Sequence, residues 1–370
     1  MRVLCTLFLT ALFGLTLHAQ GVITRIGSDG THFYYNGVAD LQNVFDDALD
    51  NGLGRDTIIF SGGIFNLEQL PNGATTLYIT SPVVVIGSGI RADSSAVYGG
   101  KTDLTGYSRS VVLGSNADST EIHGLTFSFS GGRGVYLGND LADSDVDYLK
   151  FYRCSFSRFD LGWIDNNNGL SLANDIRIEQ CVFQSEVWAA NAANVFISNS
   201  FLNRGLRNAI NTEVKNCIMT NYGADLEQYS PSILYESTIF LRSADYLTVG
   251  GSSVFTNCLF VGNGMTFAQN LTFNPGPTQS GTQVASFLSE AFPSLVSPSG
   301  YATYQFDGDY TLALPLLGSD GTPLGIYGGE APWKNGSLPF NPHWSLLNTL
   351  GNTSNGVLQG VHIKASAQEN

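Results

Sequence analysis

Seven segments of the chain superimpose without gaps: Glu121–Phe127, Lys150–Phe156, Arg177–Phe183, Phe196–Leu202, Glu213–Met219, Leu234–Phe240 and Val254–Phe260. Their starts lie 29, 27, 19, 17, 21 and 20 residues apart, a loose period of the kind that stacked repeats produce. The second column of the alignment is apolar throughout (Ile122, Phe151, Ile178, Ile197, Val214, Tyr235, Phe255). So is the last (Phe127, Phe156, Phe183, Leu202, Met219, Phe240, Phe260). Inward positions alternate with outward ones up to the second column, as in a strand with one buried face. The next inward position comes three residues later, at Leu125, Cys154, Cys181, Ser200, Cys217, Thr238 and Cys258. An unbroken strand would keep its alternation, so the jump predicts a one-residue corner between two strands. The corner column holds Gly124, Arg153, Gln180, Asn199, Asn216, Ser237 and Asn257, and Gly and Asn are the residues that best tolerate left-handed backbone. Each repeat therefore predicts a strand, a tight corner and a second strand. The remaining residues of a 17–21-residue repeat supply a third strand and two more turns.

The pattern changes at both ends. Leu41, Val44, Phe45, Ala48 and Leu49 fall at helical spacing with Asp46, Asp47 and Asp50 opposite. Asp40 is placed to cap this helix and Gly52 to stop it. Such a helix would close the first coil, whose open sheet edge otherwise invites pairing with other chains. Strands are predicted at Thr57–Phe60, Leu77–Thr80 and Val83–Ile86. After Gly264 the period fades, and Asn274-Pro275-Gly276-Pro277 and Ser297-Pro298-Ser299-Gly300 read as turns. A last strand-like piece covers Gly356–Ala365. One outward column needs a partner: Thr126, Ser155, Val182, Phe201, Ile218, Ile239 and Leu259 end in five consecutive apolar residues, which are costly to leave in water. Either a segment from 265–370 covers this ridge, or another subunit meets Phe201, Ile218 and Ile239.

Three-faced coils with an Asn-rich corner, carried by motifs such as Val-Lys-Asn-Cys-Ile-Met (214–219) and Phe-Thr-Asn-Cys-Leu-Phe (255–260), resemble the pectate-lyase-like parallel β-helix family. The resemblance spans roughly residues 36–264. It implies an all-β chain: a single right-handed parallel β-helix with an N-terminal capping helix and an irregular C-terminal segment. The expected organisation is a signal peptide over 1–20, a cap over 21–56, coils over 57–264 and a covering or capping segment over 265–370. Gly318–Gly329 and Pro339–Trp344 resemble the closing region of bacterial surface β-helix proteins. The family hosts many activities, so the resemblance speaks to fold more than to function.

Composition fits this picture. Charged residues are only 13% and Gly numbers 42, which suits short strands and turns rather than long surface helices. Arg2, the apolar run Val3–Leu17 and Leu17-His18-Ala19 read as a signal peptide, which predicts export to the periplasm, cell surface or medium. No later apolar stretch is long enough to span a membrane as a helix. A net charge of −14 argues against unaided binding to nucleic acid. Beyond Cys5 in the leader, Cys154, Cys181, Cys217 and Cys258 occupy one inward column. Cys217 and Cys258 are two coils, about 9.6 Å, apart, beyond the ~7 Å reach of a disulfide. Cys154 and Cys181 are in adjacent coils on one face, where the torsion is unsuitable. Four free buried thiols are expected.

Candidate chemistry is sparse. No G-x-S-x-G, Walker A or H-E-x-x-H motif occurs, and His32, His123, His343 and His362 are scattered. Paired carboxylates for glycoside hydrolysis are not evident: Glu179 and Glu236 are separated by Ser198 and Lys215, and Glu121 and Glu213 lie farther apart. A sugar lyase needs a base and a cation for the enolate. Arg204, Arg207 and Lys215, with Asp165 and Asp225 in nearby loops, are the candidates, set against a reading as ordinary surface charges. The resembled lyases use Arg or Lys with acid-bound Ca²⁺, but none of their catalytic motifs maps onto this chain. Asp143, Asp145 and Asp147 form a D-x-D-x-D run whose spacing suits Ca²⁺, but it lacks the Gly and Glu of an EF-hand, which favours a solvated acidic turn. Trp163, Trp188, Tyr222, Tyr229 and Tyr246 fall outside the core columns, as sugar-stacking platforms or as packing between turns.

Three functional readings follow. The first is a non-catalytic secreted or surface protein presenting a long face to a polysaccharide or partner. The second is a polysaccharide lyase or hydrolase working in a groove along the coils. The third is a structural spacer. Catalysis itself stays open at the level of sequence.

Overall fold

The computed structural model describes residues 21–48, 54–91, 101–114, 116–132, 134–138, 145–161, 163–164, 170–189, 192–207, 210–220, 225–226, 232–295, 304–305, 308–314, 316–333, 343–348, 353–354, 357–358 and 362–366. It is an all-β parallel solenoid. Successive turns of the chain lay one strand in each of three sheets. The first, 13-stranded, runs from His32–Asn36 and Val22–Ile26 at its N-terminal edge through Asp56–Phe60, Val83–Ile86, Glu121–His123, Lys150–Tyr152 and onward to Thr278–Ser280. The second, 10-stranded, runs from Gly63–Asn66 to Gln283–Ala285, and the third, six-stranded, from Thr76–Ile79 to Leu206–Arg207. A three-stranded sheet (Asp225–Leu226, Leu247–Val249, Leu271–Phe273) continues the series of third strands.

The gapless alignment of the seven segments is the register of the sheets. Ile122 pairs beside Phe151, Phe151 beside Ile178, and so on to Phe255. In the second sheet Phe127 lies beside Phe156, Phe156 beside Phe183, and the series continues to Phe260. Like therefore stacks on like. Phe127 and Phe156 have ring centroids 5.1 Å apart at 4°, Phe156 and Phe183 5.2 Å at 12°, and Phe240 and Phe260 4.7 Å at 11°. These rings belong to one continuous core that runs the length of the coils.

Every corner residue sits at positive φ: Gly124 65°, Arg153 53°, Gln180 52°, Asn199 46°, Asn216 51°, Ser237 51° and Asn257 50°. Each corner N–H donates to the carbonyl of the next coil, as from Gly124 to Tyr152 (2.9 Å), Asn199 to Lys215 (3.1 Å) and Asn257 to Ser280 (2.8 Å). The bend thus costs the ladder no hydrogen bond. A second left-handed ladder, which the sequence pattern does not reveal, lies at the entry to the first sheet: Ser119, Tyr148, Asp175, Asn194 and Asn211, at φ 48–63°. Cys154, Cys181, Cys217 and Cys258 are buried and unbridged. Burial pushes the Cys217 and Cys258 thiols up to about 12, which keeps them protonated and inert.

At the N-terminal edge, Val22–Ile26 adds antiparallel to Asp56–Phe60 and itself pairs with His32–Asn36. The helix Leu41–Asp46 buries Leu41, Val44 and Phe45 against the core. Asp40 is at its N-cap but makes no side-chain capping bond, because it already ends a short 3-10 turn, Val38–Asp40, in helical conformation. The helix ends at Asp46; Leu49 and Gly52 lie outside the described residues.

The outward column on the second sheet is buried along its whole length: Val182, Phe201, Ile218, Ile239 and Leu259 are at most 2% exposed. They share a second apolar cluster with Leu288, Phe292, Leu295, Tyr310, Leu324, Ile326 and Trp333. The described residues between Leu288 and Trp333 therefore form a strap laid across the outside of the second sheet. Side chains of the corner column hold it. Asn199 Nδ2 donates to the carbonyls of Ile326 (3.0 Å) and Gly328 (2.6 Å), and Gln180 Nε2 to those of Ala331 (2.8 Å) and Pro332 (3.1 Å). The Gly325 N–H donates to Ser237 O at 2.9 Å. Gly325 has φ +76°, and a Cβ there would sit 2.6 Å from Ile239 Cδ1, so only glycine lets the strap lie this close. Near the C-terminus His343–Asn348 pairs antiparallel with His362–Ser366, and Thr353–Ser354 with Val357–Leu358.

Candidate binding site on the third sheet

The strands of the third sheet are short, and their first and third residues face inward. Val135 and Leu137, Phe159 and Leu161, and Val187 all join the main core. Alternation sends the residue between them outward. The outward column is Tyr78, Val112, Tyr136, Asp160 and Trp188, in register from coil to coil. Asp160 thus lies one coil, about 4.8 Å, from Tyr136 on one side and Trp188 on the other.

Arg158 reaches into this column from the turn before Phe159–Leu161. Its Nε donates to Asp160 Oδ2 (3.0 Å) and Oδ1 (3.3 Å), its Nη2 lies 2.9 Å from Oδ2, and its Nη1 donates to Gly132 O (2.7 Å). The guanidinium carbon lies 5.9 Å from the ring centres of both Tyr136 and Trp188, within cation–π range. Trp188 Nε1 donates to Glu186 Oε1 at 2.8 Å, which fixes the half-buried indole. The two partners of the ion pair are unequally buried: the Arg158 side chain is 34% exposed and that of Asp160 6%. Burial pushes the Asp160 carboxyl above the usual range, Glu186 adds to the rise, and the bond from Arg158 offsets only part of it. Burial also opposes the charge on Arg158, but Asp160 outweighs it and keeps the guanidinium's pKa raised. The result is a fixed aromatic platform beside a nearly self-neutralised ion pair, with one further carboxylate at its rim.

Of the aromatic residues singled out in the sequence, Trp188 belongs to this site. Tyr246 is half exposed on a later coil, 5.5 Å from the Arg242 guanidinium. Trp163 lies in a short strand paired with Ser171, its side chain outside the described residues; Tyr222 and Tyr229 are outside them altogether. The basic candidates do not share a face. Arg204 is exposed in a left-handed turn (φ 67°), with its N–H on Thr220 O at 2.6 Å. Arg207 is the strand neighbour of Trp188 on the third sheet, its side chain undescribed. Lys215 is on the first sheet, 3.4 Å from Glu236. Sequence proximity misleads here because a coil turns through all three faces within some twenty residues. Asp225 pairs with Thr248, and its side chain, like Asp165 as a whole, falls outside the description.

Asp143 lies outside the described residues. Asp145 Oδ1 accepts the Leu172 N–H at 2.7 Å. Burial, with Asp118, Asp175 and Asp145 nearby, pushes the Asp147 carboxyl up. Among the described residues no group of three or more His, Cys, Asp or Glu side chains is placed to hold a metal ion.

Two other features lie outside this site. On the first sheet, Glu121 accepts from Arg55 Nη2 (3.0 Å) and Lys150 Nζ (3.1 Å), with His123 Nε2 3.6 Å away and stacked on Tyr152 (4.8 Å, 19°). This is a compensated charge ladder. A hollow of about 400 Å³ within the strap, lined by Tyr310, Leu312, Leu324, Tyr327 and Trp333 among others, carries no charged group.

Tyr136, Arg158, Asp160 and Glu186 escape a reading of the sequence. The third strands are two or three residues long, and no repeat column marks them. The available signal is the Phe159-Asp160-Leu161 alternation one coil before Val187-Trp188. Comparison with known protein families, with curated proteins and with solved structures finds no match to this chain.

Proposed function

We propose that this chain is an exported right-handed parallel β-helix, pectate-lyase-like in architecture, that binds a glycan without cleaving it and presents the third sheet as its binding face. The residues before Gly21 act as its leader in this reading. The observation that carries it is the fixed indole of Trp188 beside the Arg158–Asp160 pair. A flat ring held by a hydrogen bond is what the apolar face of a sugar stacks on, and flanking carboxylates accept its hydroxyl protons. Arg158, the cation described in reach of that platform, is held by Asp160, so it stands less ready to steady an enolate than a lyase requires.

Affinity electrophoresis of the protein through gels containing single polysaccharides tests this. Retardation by at least one polysaccharide, lost in Trp188→Ala, is the expected result. The same panel is assayed for new reducing ends and for ultraviolet absorbance of unsaturated products. Turnover of any polysaccharide by the wild-type protein, or no retardation by any polysaccharide, overturns the reading.

A further inference from the structure

We infer that two copies of this chain associate end to end through the last coil, related by a two-fold axis; this goes beyond the glycan-binding reading and does not rest on it. The last strands of the three coil faces are Thr278–Ser280, Gln283–Ala285 and Leu271–Phe273. In register, Gln279 continues the inward column of Phe255, Val284 that of Phe260, and Leu271 and Phe273 those of Leu247 and Val249. Those four predecessors are fully buried. Gln279 is exposed, Val284 is 40% exposed, and Leu271 and Phe273 are half-buried. Phe267, on the short helix Phe267–Asn270, is buried among the core residues but leaves these positions open. The core therefore meets solvent at this end, ringed by three strand edges that no further strand covers among the described residues. The opposite end is closed by the hairpin of Val22–Ile26 and His32–Asn36 and by the helix Leu41–Asp46.

Charge and shape select a second copy as the occupant. Open edges are ordinarily guarded by charged side chains. Here, from Tyr246 to Ser289, the sequence has no Asp, Glu, Lys, Arg or His. Net charge is −14, so like copies repel over much of their surface, and this neutral stretch is where they can approach. A foreign extended strand would satisfy one edge, whereas a second solenoid end offers three. The closed N-terminal end blocks head-to-tail stacking. The chain's own continuation leads away: the strap bonds first to Ser237, then to Asn199, then to Gln180, each farther from the last coil. The described strands beyond it pair with one another. A two-fold axis across the end reverses strand direction, so every edge pairs antiparallel. With the axis through the first sheet, Gln279 faces the partner's Gln279, where each amide can donate and accept. Gln283–Ala285 then meets the partner's Leu271–Phe273, and Val284 packs on the partner's Phe273.

Sedimentation velocity on the full chain, from about 1 to about 200 µM, covers the weak affinities of small interfaces. A reversible monomer–dimer equilibrium is expected, tighter at about 300 mM than at about 20 mM salt because salt screens the mutual repulsion. Gln279→Lys sets like charges together at the axis and is expected to weaken association at least about tenfold. Its far-ultraviolet spectrum should not change, since Gln279 is exposed in the single chain. Gln279→Cys brings two thiols opposite each other, at the Cα separation of about 4.5–5.5 Å of an antiparallel pair, within reach of a disulfide. Oxidised glutathione, itself reduced to two thiols, is expected to convert that variant to a covalent dimer on a non-reducing gel, with the wild type as control. A wild type that stays monomeric throughout overturns the inference. So does a dimer that Gln279→Lys leaves unweakened, or a Gln279→Cys variant that does not cross-link. Should Gln279→Lys fail to fold, wild-type sedimentation and the cross-link decide.

Discussion

Left-handed backbone costs an L-residue about 1–2 kcal/mol relative to the right-handed region. The corner column nevertheless places Arg153, Gln180 and Ser237 there as well as three asparagines and a glycine. Each stays because its N–H completes the ladder to the next coil, and Gln180 and Asn199 gain a second use as clasps for the strap. Asn257 has no strap carbonyl among its described partners, so it isolates the backbone effect. Asn257→Ala is expected to lower unfolding stability by about 1 kcal/mol, and Asn257→Gly to leave it within about 0.5 kcal/mol, read by chemical denaturation. Equal losses in both variants would assign the cost to the side chain instead. His123 offers a titration at this scale. Burial holds its pKa below the usual 6.5. As pH falls through 6.5 the unfolded chain therefore takes up a proton before the folded one does, and stability drops toward the lower folded value. Melting temperature should be flat above pH 7 and decline as the pH falls below 6.5, with the decline reduced in His123→Gln. The corner was legible because Gly and Asn recur at a phase jump. The second left-handed ladder was not, since Ser119, Tyr148 and Asp175 share no residue type and follow insertions of varying length.

Strand length decided what else the sequence disclosed. The first two strands of each coil carry an alternating pattern long enough to align, and their register matches that alignment residue for residue. The third strands do not, which is why Trp188 enters as a sugar-stacking candidate on residue type alone, one of five aromatics outside the core columns, and Asp160 does not stand out at all. The stacked rings make the first two sheets mechanically interdependent. Phe156 touches Phe127, Phe151, Phe159 and Phe183 and is fully buried. Phe156→Ala leaves a cavity with rings on four sides and is expected to cost about 3–5 kcal/mol. Phe156→Leu should recover more than half of that loss in the same calorimetric melt. A Phe156→Ala variant as stable as the wild type would mean that the coils collapse around the gap.

A solenoid's coils interact with their neighbours only, so its stability is close to a sum of local terms. The strap alters that, because Leu288–Trp333 reaches ridge residues from Val182 to Val261 at once. Ile326 is 1% exposed at its centre. Ile326→Asp would bury an unpaired carboxylate, which proteins avoid at a cost of several kcal/mol; the strap is expected to lift while the coils stay folded. Light scattering should then show self-association through the bared Phe201, Ile218 and Ile239, with the far-ultraviolet spectrum unchanged. A monomer that binds no apolar dye would contradict this account of the strap.

The strap's position in the chain sets an order of events at synthesis. Asn199 precedes its partners Ile326 and Gly328 by 127 and 129 residues, and Gln180 precedes Ala331 and Pro332 by 151 and 152. By the time a ribosome or an export channel releases those carbonyls, the coils can have stacked with a greasy seam facing water. For that interval the newborn molecule is adhesive, and its survival at high expression depends on a holding chaperone or on fast delivery of its own tail.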